Sequence, residues 1–143
     1  MFKIALYLLL TVILATFLLP FFYTVSAYEL NPTKILQAPS FEHIFGTDRL
    51  GRDIFARILE GGQTSLIIGF LAASISSILG LVIGITAGYF KGNIDKTITI
   101  LIDLFLTFPT FFLLLALVSY IQASAVILII VISTTGWMGM SRM

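Results

Sequence analysis

The chain has 143 residues, 59% of them hydrophobic and 10% charged, with a net charge of +1 and a mean hydropathy of +1.10. Soluble domains are about 45–50% apolar and about 25% charged, so this composition belongs to an integral membrane protein. With no cysteine and a single histidine, disulfides, thiolate nucleophiles and multi-histidine metal centres are excluded, and no basic cluster exists to neutralise nucleic-acid phosphates.

The first apolar run, Ile4 to Tyr28, carries no charge. About 20 apolar residues cross the ~30 Å hydrocarbon core, so residues 1–28 are expected to form the first transmembrane helix. Lys3 and the "TVSA" ending at Ala27 also fit a cleaved signal sequence, but the apolar core of such a signal covers only about 7–15 residues. A retained span is therefore expected.

Residues 29–62 form the one sizeable connection. Within it, "FGTDRLGRD" (Phe45–Asp53) crowds two Asp and two Arg into a chain that has few charges. Leu50, Ile54, Phe55, Ile58 and Leu59 recur at helical spacing, which predicts a short amphipathic helix over residues 48–60 lying at the membrane interface. Thr47 suits its N-cap and Gly61-Gly62 its end. On such a helix Asp48 would pair with Arg52, Arg49 with Asp53, and Asp53 with Arg57, each pair contributing about 0.2–0.5 kcal/mol. Paired carboxylates can also do acid–base work when their pKa values are pushed apart. Here each acid has an arginine one turn away, no metal constellation can be completed, and no nucleophile–base pair stands nearby apart from His43. No catalytic residue, metal or cofactor is assigned.

The second span is expected at residues 63–90, where Ala72, Ser76, Gly80, Gly84 and Gly88 repeat every fourth position. That spacing puts small residues on one helix face, which lets another helix approach closely in lipid. The uncharged stretch after Leu104 is too long for one helix, and "SYIQAS" (Ser119–Ser124) divides it into spans at about residues 93–120 and 123–140. Asp103 and Pro109 fall in the third span, as candidates for gating and for a kink. Charge leaves the orientation open: Lys3, Lys91, Lys96 and Arg142 on one side balance Lys34, Arg49, Arg52 and Arg57 on the other. The expected fold is all-α and integral to the membrane, with about four transmembrane helices and one interfacial helix.

The segment "HIFGTDRLGRDIFARILEGGQTSLIIG" resembles the C-type permease subunit of bacterial ABC importers for dipeptides, oligopeptides and nickel. The resemblance continues in register through "GLVIGITAGYFKGNIDKTI", "IDLFLTFPTFFLLLALV" and "GWMGMSR", covering roughly His43 to Arg142. It implies a motif of Gly46, Thr47, Asp48, Gly51, Arg52 and Asp53 with a structural or docking role, and places Asp103 and Pro109 on family positions. It further implies a six-span subunit of which this is the first part, ending before the cytoplasmic coupling loop. The implied partners are a B-type permease, two cytoplasmic ATPases and an external solute-binding protein. The implied location is the bacterial inner membrane, with the N-terminus cytoplasmic and the Gly46–Asp53 segment outside. Gln63 and Lys91 depart from the residues usual at their positions. No nucleotide-binding G-x-x-x-x-G-K-[ST] segment occurs, as befits a permease that borrows its ATP hydrolysis. The functional expectation is a permease subunit working by alternating access. The alternative is a non-transporting membrane scaffold that uses the Ala72-to-Gly88 face for helix association.

Overall fold

Twenty-one residues with no acidic side chain and one lysine form the first helix, α1 (Phe2–Phe22). A computed structural model describes residues 2–107, 112, 115–116, 119 and 124–141. Among the described residues the other elements are a 3-10 turn (Pro32–Lys34), α2 (Ile54–Phe90), α3 (Gly92–Thr107) and α4 (Ala125–Met140). The chain divides into two units, residues 1–66 and 67–143.

In the first unit, α1 leaves nearly all its apolar side chains uncovered. It is long and apolar enough to cross a membrane, where such a surface is solvated by lipid. Its one proline has a local consequence. Pro20 has no N–H, so the carbonyl of Thr16, four residues earlier, receives no hydrogen bond from the helix ladder. The side-chain amide of Gln63, on α2, donates to that carbonyl at 3.1 Å. Gly62 lies against the same spot, since a Cβ there would stand 3.0 Å from Thr16 Cγ2. Thr16 is thereby buried, and α1 and α2 meet closely because one residue lacks a side chain and the next supplies a donor.

This packing corrects the expected helix over residues 48–60. Residues 48–53 form turns, and α2 starts at Ile54. It then runs without a break through Gly61-Gly62 to Phe90, so the expected amphipathic helix and the expected span at 63–90 are largely one element. Glycine costs a helix about 1 kcal/mol and does not by itself end one. Here Gly62 serves the approach to α1, while nothing lies within 4 Å of a Cβ on Gly61. At 37 residues and 1.5 Å per residue, α2 is about 55 Å long, against a ~30 Å core. Its charged first turns, with Arg57 and Glu60, can therefore lie beyond the hydrocarbon.

In the second unit, α2 ends in two left-handed residues, Lys91 (φ 50) and Gly92 (φ 59), which turn the chain into α3. Lys91 occupies a conformation that glycine adopts without strain, and a side chain there costs roughly 1–2 kcal/mol. α4 begins where "SYIQAS" predicts a division: the Ser124 side chain caps it by accepting from Ile127 N–H at 3.3 Å. Ser76 Oγ donates to the Ser133 carbonyl of α4 at 3.4 Å. A Cβ on Gly80 would lie 2.5 Å from Met140 Cβ, and one on Gly84 3.1 Å from the Ser141 carbonyl oxygen. α2, α3 and α4 line an open apolar pocket of about 250 Å³ formed by Ile83, Thr86, Ile98, Leu101 and Trp137. Among the described residues two helices, α1 and α2, are long and apolar enough to span a membrane, and α4 is a shorter apolar helix. Of the expected third span, α3 covers Gly92–Thr107, and Pro109 lies outside the described residues.

Candidate functional site

The loop between α1 and α2 is organised around two carboxylates that do different work. Asp48 closes a tight turn: Gly51 N–H donates to its carbonyl at 3.0 Å, and its own N–H donates to the Arg52 carbonyl at 2.9 Å. Its Oδ1 accepts from the N–H groups of Leu50 (2.8 Å) and Arg52 (3.0 Å). Its Oδ2 receives Arg52 Nε at 2.9 Å and Arg57 Nη1 at 2.6 Å. Partial desolvation pushes the Asp48 carboxyl up, but the Arg52 and Leu50 donors outweigh it and hold the pKa down at about 2.

Asp53 is the N-cap of α2. Its Oδ1 accepts from Ala56 N–H at 2.7 Å, which satisfies one of the orphan donors of the first turn. Its Oδ2 receives the Tyr23 hydroxyl at 2.7 Å and faces His43 Nδ1 at 2.8 Å. At 2% exposure, this carboxylate is shut off from water, so three protein partners replace its hydration. Burial opposes ionisation, and the Ala56, Tyr23 and His43 partners together still lower its pKa. Burial and the Asp53 carboxylate raise the Tyr23 phenol to about 12.

The tautomer of His43 follows from its neighbours. Lys34 Nζ stands 3.2 Å from Nε2, and an ammonium can only donate. Nε2 therefore accepts, and Nδ1 carries the proton directed at Asp53. Lys34 also pairs with Glu42 at 3.2 Å. Backbone pairing closes the remaining side: Thr47 N–H donates to the Gln37 carbonyl at 3.1 Å, Leu36 N–H to the Asp48 carbonyl at 3.2 Å, and Gln37 N–H to Thr47 Oγ1 at 2.8 Å. Thr47 Oγ1 in turn donates to the Lys34 carbonyl. Gly46 and Gly51, both at φ +73, approach the backbone of Gln37 and Asn31 so closely that a Cβ at either would collide.

Of the predicted site residues, Gly46, Thr47, Asp48, Gly51, Arg52 and Asp53 come together in this clasp. Of the pairs expected from helical spacing, Asp48–Arg52 forms at 2.8 Å. Arg57 pairs with Asp48 and Asp53 with His43, in place of the expected Arg49–Asp53 and Asp53–Arg57 pairs. The turn at Gly51 reverses the chain, so the register of a continuous helix does not apply. Thr47 bridges to Asp53, and the cap is Asp53 itself. Ser76, Gly80 and Gly84 lie against α4, Ala72 is buried, and Gly88 has open space around it. Asp103 sits on the exposed side of α3.

Sequence reasoning missed Tyr23, Lys34, Thr16 and the role of Gln63. Tyr23 and Asp53 are 30 residues apart, so no local spacing links them. Pro20, four residues after Thr16, was the one available signal that a carbonyl would need an outside donor.

Tyr23, Glu29, Lys34, Glu42, His43 and Asp53 share the wall of an open cavity of about 590 Å³. Its chemistry is holding rather than reacting. The Asp53–His43 pair has the form of an oriented base, but Lys34 occupies the nitrogen that would face a substrate. Among the described residues, no three of His, Cys, Asp and Glu are placed to hold a metal ion.

Residues 80–143 match the family described as binding-protein-dependent transport system inner membrane component. The chain is 45% identical over 102 residues to a dipeptide transport system permease protein of Alkalihalophilus pseudofirmus, covering 71% of this chain and 34% of that protein. It is 36% identical over 104 residues to a dipeptide transport system permease protein of Bacillus subtilis, covering 73% and 32%. It is 40% identical over 115 residues to a putative peptide transport system permease protein of Brucella suis, covering 78% and 38%. The chain thus spans about a third of the length of these relatives.

Proposed function

We propose that the chain, whose residues 80–143 match the family of binding-protein-dependent transport system inner membrane components, forms part of the membrane path of an ATP-driven peptide importer. The observation that carries this reading is the 45% identity to a dipeptide permease over 71% of the chain. The cycle is alternating access, with no covalent chemistry in this chain. A B-type permease completes the path, two cytoplasmic ATPases hydrolyse ATP, and an external binding protein delivers the peptide. The N-terminus is cytoplasmic, and the Gly46–Asp53 clasp lies outside, as a rigid support whose carboxylates are spent on internal contacts. Nickel, the other substrate that the resemblance implied, is named by none of the three relatives above. The scaffold alternative needs the Ala72-to-Gly88 face for another chain, and the packing of α4 on Ser76, Gly80 and Gly84 speaks against it.

The test is reconstitution with the three kinds of partner, reading ATP hydrolysis and uptake against dipeptides, longer peptides and nickel ion. Peptide-stimulated hydrolysis with uptake is expected. Stimulation by nickel alone would replace the substrate class, and assembly without any stimulation would favour the scaffold.

A further inference from the structure

In the loop between α1 and α2, His43, Thr47 and Asp53 turn inward, while several large apolar side chains turn out. Phe41 is fully uncovered (107%), Leu36 is 66% exposed, and Phe45 and Leu50 are each 50% exposed. Leu36 also holds φ 51, a left-handed conformation strained for any residue with a side chain. The pairing of residues 36 and 37 with 47 and 48 keeps it there. Arg49 is exposed beside Leu50 at the tip of the Asp48 turn. Among the described residues it forms no ion pair, unlike Lys34, Arg52 and Arg57.

We propose that this loop is seated in the headgroup layer of the bilayer, with Leu36, Phe41, Phe45 and Leu50 at the acyl boundary and Arg49 on lipid phosphate. The proposal rests on the membrane-permease reading above. The loop leaves α1 at Phe22 and enters α2 at Ile54, and both helices are long and apolar enough to cross a membrane. Both of its ends are therefore fixed near the membrane surface. Lipid is a surface that a loop held there meets throughout a transport cycle, whereas a docked binding protein comes and goes. Phe and Leu side chains of interfacial segments bury at this boundary. A guanidinium beside an apolar side chain suits phosphate lying just above hydrocarbon.

The experiment uses the full chain with Trp137→Phe, in vesicles of phosphatidylethanolamine and phosphatidylglycerol. Single tryptophans are introduced as Phe41→Trp, Leu50→Trp and, in α1, Leu10→Trp. Quenching is read with lipids brominated either near the headgroup end or near the tail end of the acyl chain, and with aqueous acrylamide. The Phe41→Trp and Leu50→Trp proteins are expected to lose most of their emission to the shallow bromines and little to acrylamide, and Leu10→Trp to the deep bromines. Strong acrylamide quenching at both loop positions overturns the proposal. So does blue-shifted emission untouched by either quencher, which would mean that protein covers the loop. Quenching of Leu10→Trp separates the two readings: its loss sinks the membrane-span reading itself, while its presence with an unquenched loop sinks this inference alone. If one loop variant fails to insert, the other decides.

Discussion

Asp48 and Asp53 sit five residues apart, yet differ in every respect that matters physically. Asp48 is a turn-builder bound by two arginines, and Asp53 is a helix cap buried under a histidine and a tyrosine. Both carboxylates are held below their ordinary value, so the folded loop binds their protons less readily than the unfolded chain. Stability from these groups is then complete above the unfolded value of about 4 and lost as pH falls through the folded value, about 2 for Asp48. Tyr23 works in the opposite sense: its phenol is raised to about 12, so its contribution is complete below pH ~10 and fades as pH rises through the folded value. Hydrogen exchange of the Leu50, Arg52 and Ala56 amides, corrected for intrinsic rates, should show a protected plateau between those limits with a loss at each end. A profile that falls near neutral pH would mean that other groups hold the loop. The Gln63 side chain offers a second test. Gln63→Leu leaves the Thr16 carbonyl buried without a donor and should cost about 1–3 kcal/mol. In a Pro20→Ala background the helix supplies its own N–H, and the same change should cost far less. Unfolding in mixed detergent, measured as a double-mutant cycle, checks this, and additive effects would sink the account.

At the scale of elements, the small-residue face of α2 is not used evenly. Gly80 faces Met140 and Trp137 of α4, whereas nothing lies within 4 Å of a Cβ on Gly88. Gly80→Leu should therefore overpack the contact and cost about 1–3 kcal/mol, while Gly88→Ala should stay within about 0.5 kcal/mol. Thermal unfolding of the two variants in one detergent reads the contrast, and equal losses would mean that this packing is not what the helices use. The four-residue spacing of that face was legible because periodicity is a property of the chain itself. The start of α4 at the end of "SYIQAS" was legible because that stretch is a polar break in a long uncharged run, and Ser124 caps the helix there. The start of α2 was not. Leu50, Ile54, Ile58 and the charges around them fit a helix from residue 48, and that pattern holds no sign that Gly51 needs a positive φ against the Asn31 backbone. The roles of Gly62 and Gln63 escaped for the same reason, since both depend on Thr16, far away in the chain. Local rules located the elements, and contacts across the loop decided where one began and what its charges touched.

For the whole molecule, the open matter is which side of the membrane each end of α2 faces. Counting cations gives a tie because the count treats every lysine and arginine alike. The folded chain does not. Lys34 is bound to Glu42, and Arg52 and Arg57 to Asp48, which leaves Arg49 as the loop's one cation without an ion pair among the described residues. Lys91 and Lys96, past the other end of α2, form no ion pair among the described residues. An unpaired cation can hold to the anionic cytoplasmic leaflet, and a paired one has little charge left to offer. This favours a cytoplasmic Lys91–Lys96 segment and an external loop, the arrangement that the family resemblance also implies. The chain has no cysteine, so single cysteines report cleanly. Ser40→Cys in the loop and Asn93→Cys after α2 are both at exposed positions. A membrane-impermeant maleimide added to intact cells should label Ser40→Cys at once, and Asn93→Cys only after permeabilisation. The reverse pattern would invert the orientation and put the clasp on the cytoplasmic side. Labelling of both from outside would deny that α2 crosses at all, because a helix about 55 Å long that spans a ~30 Å core must present its two ends to opposite compartments.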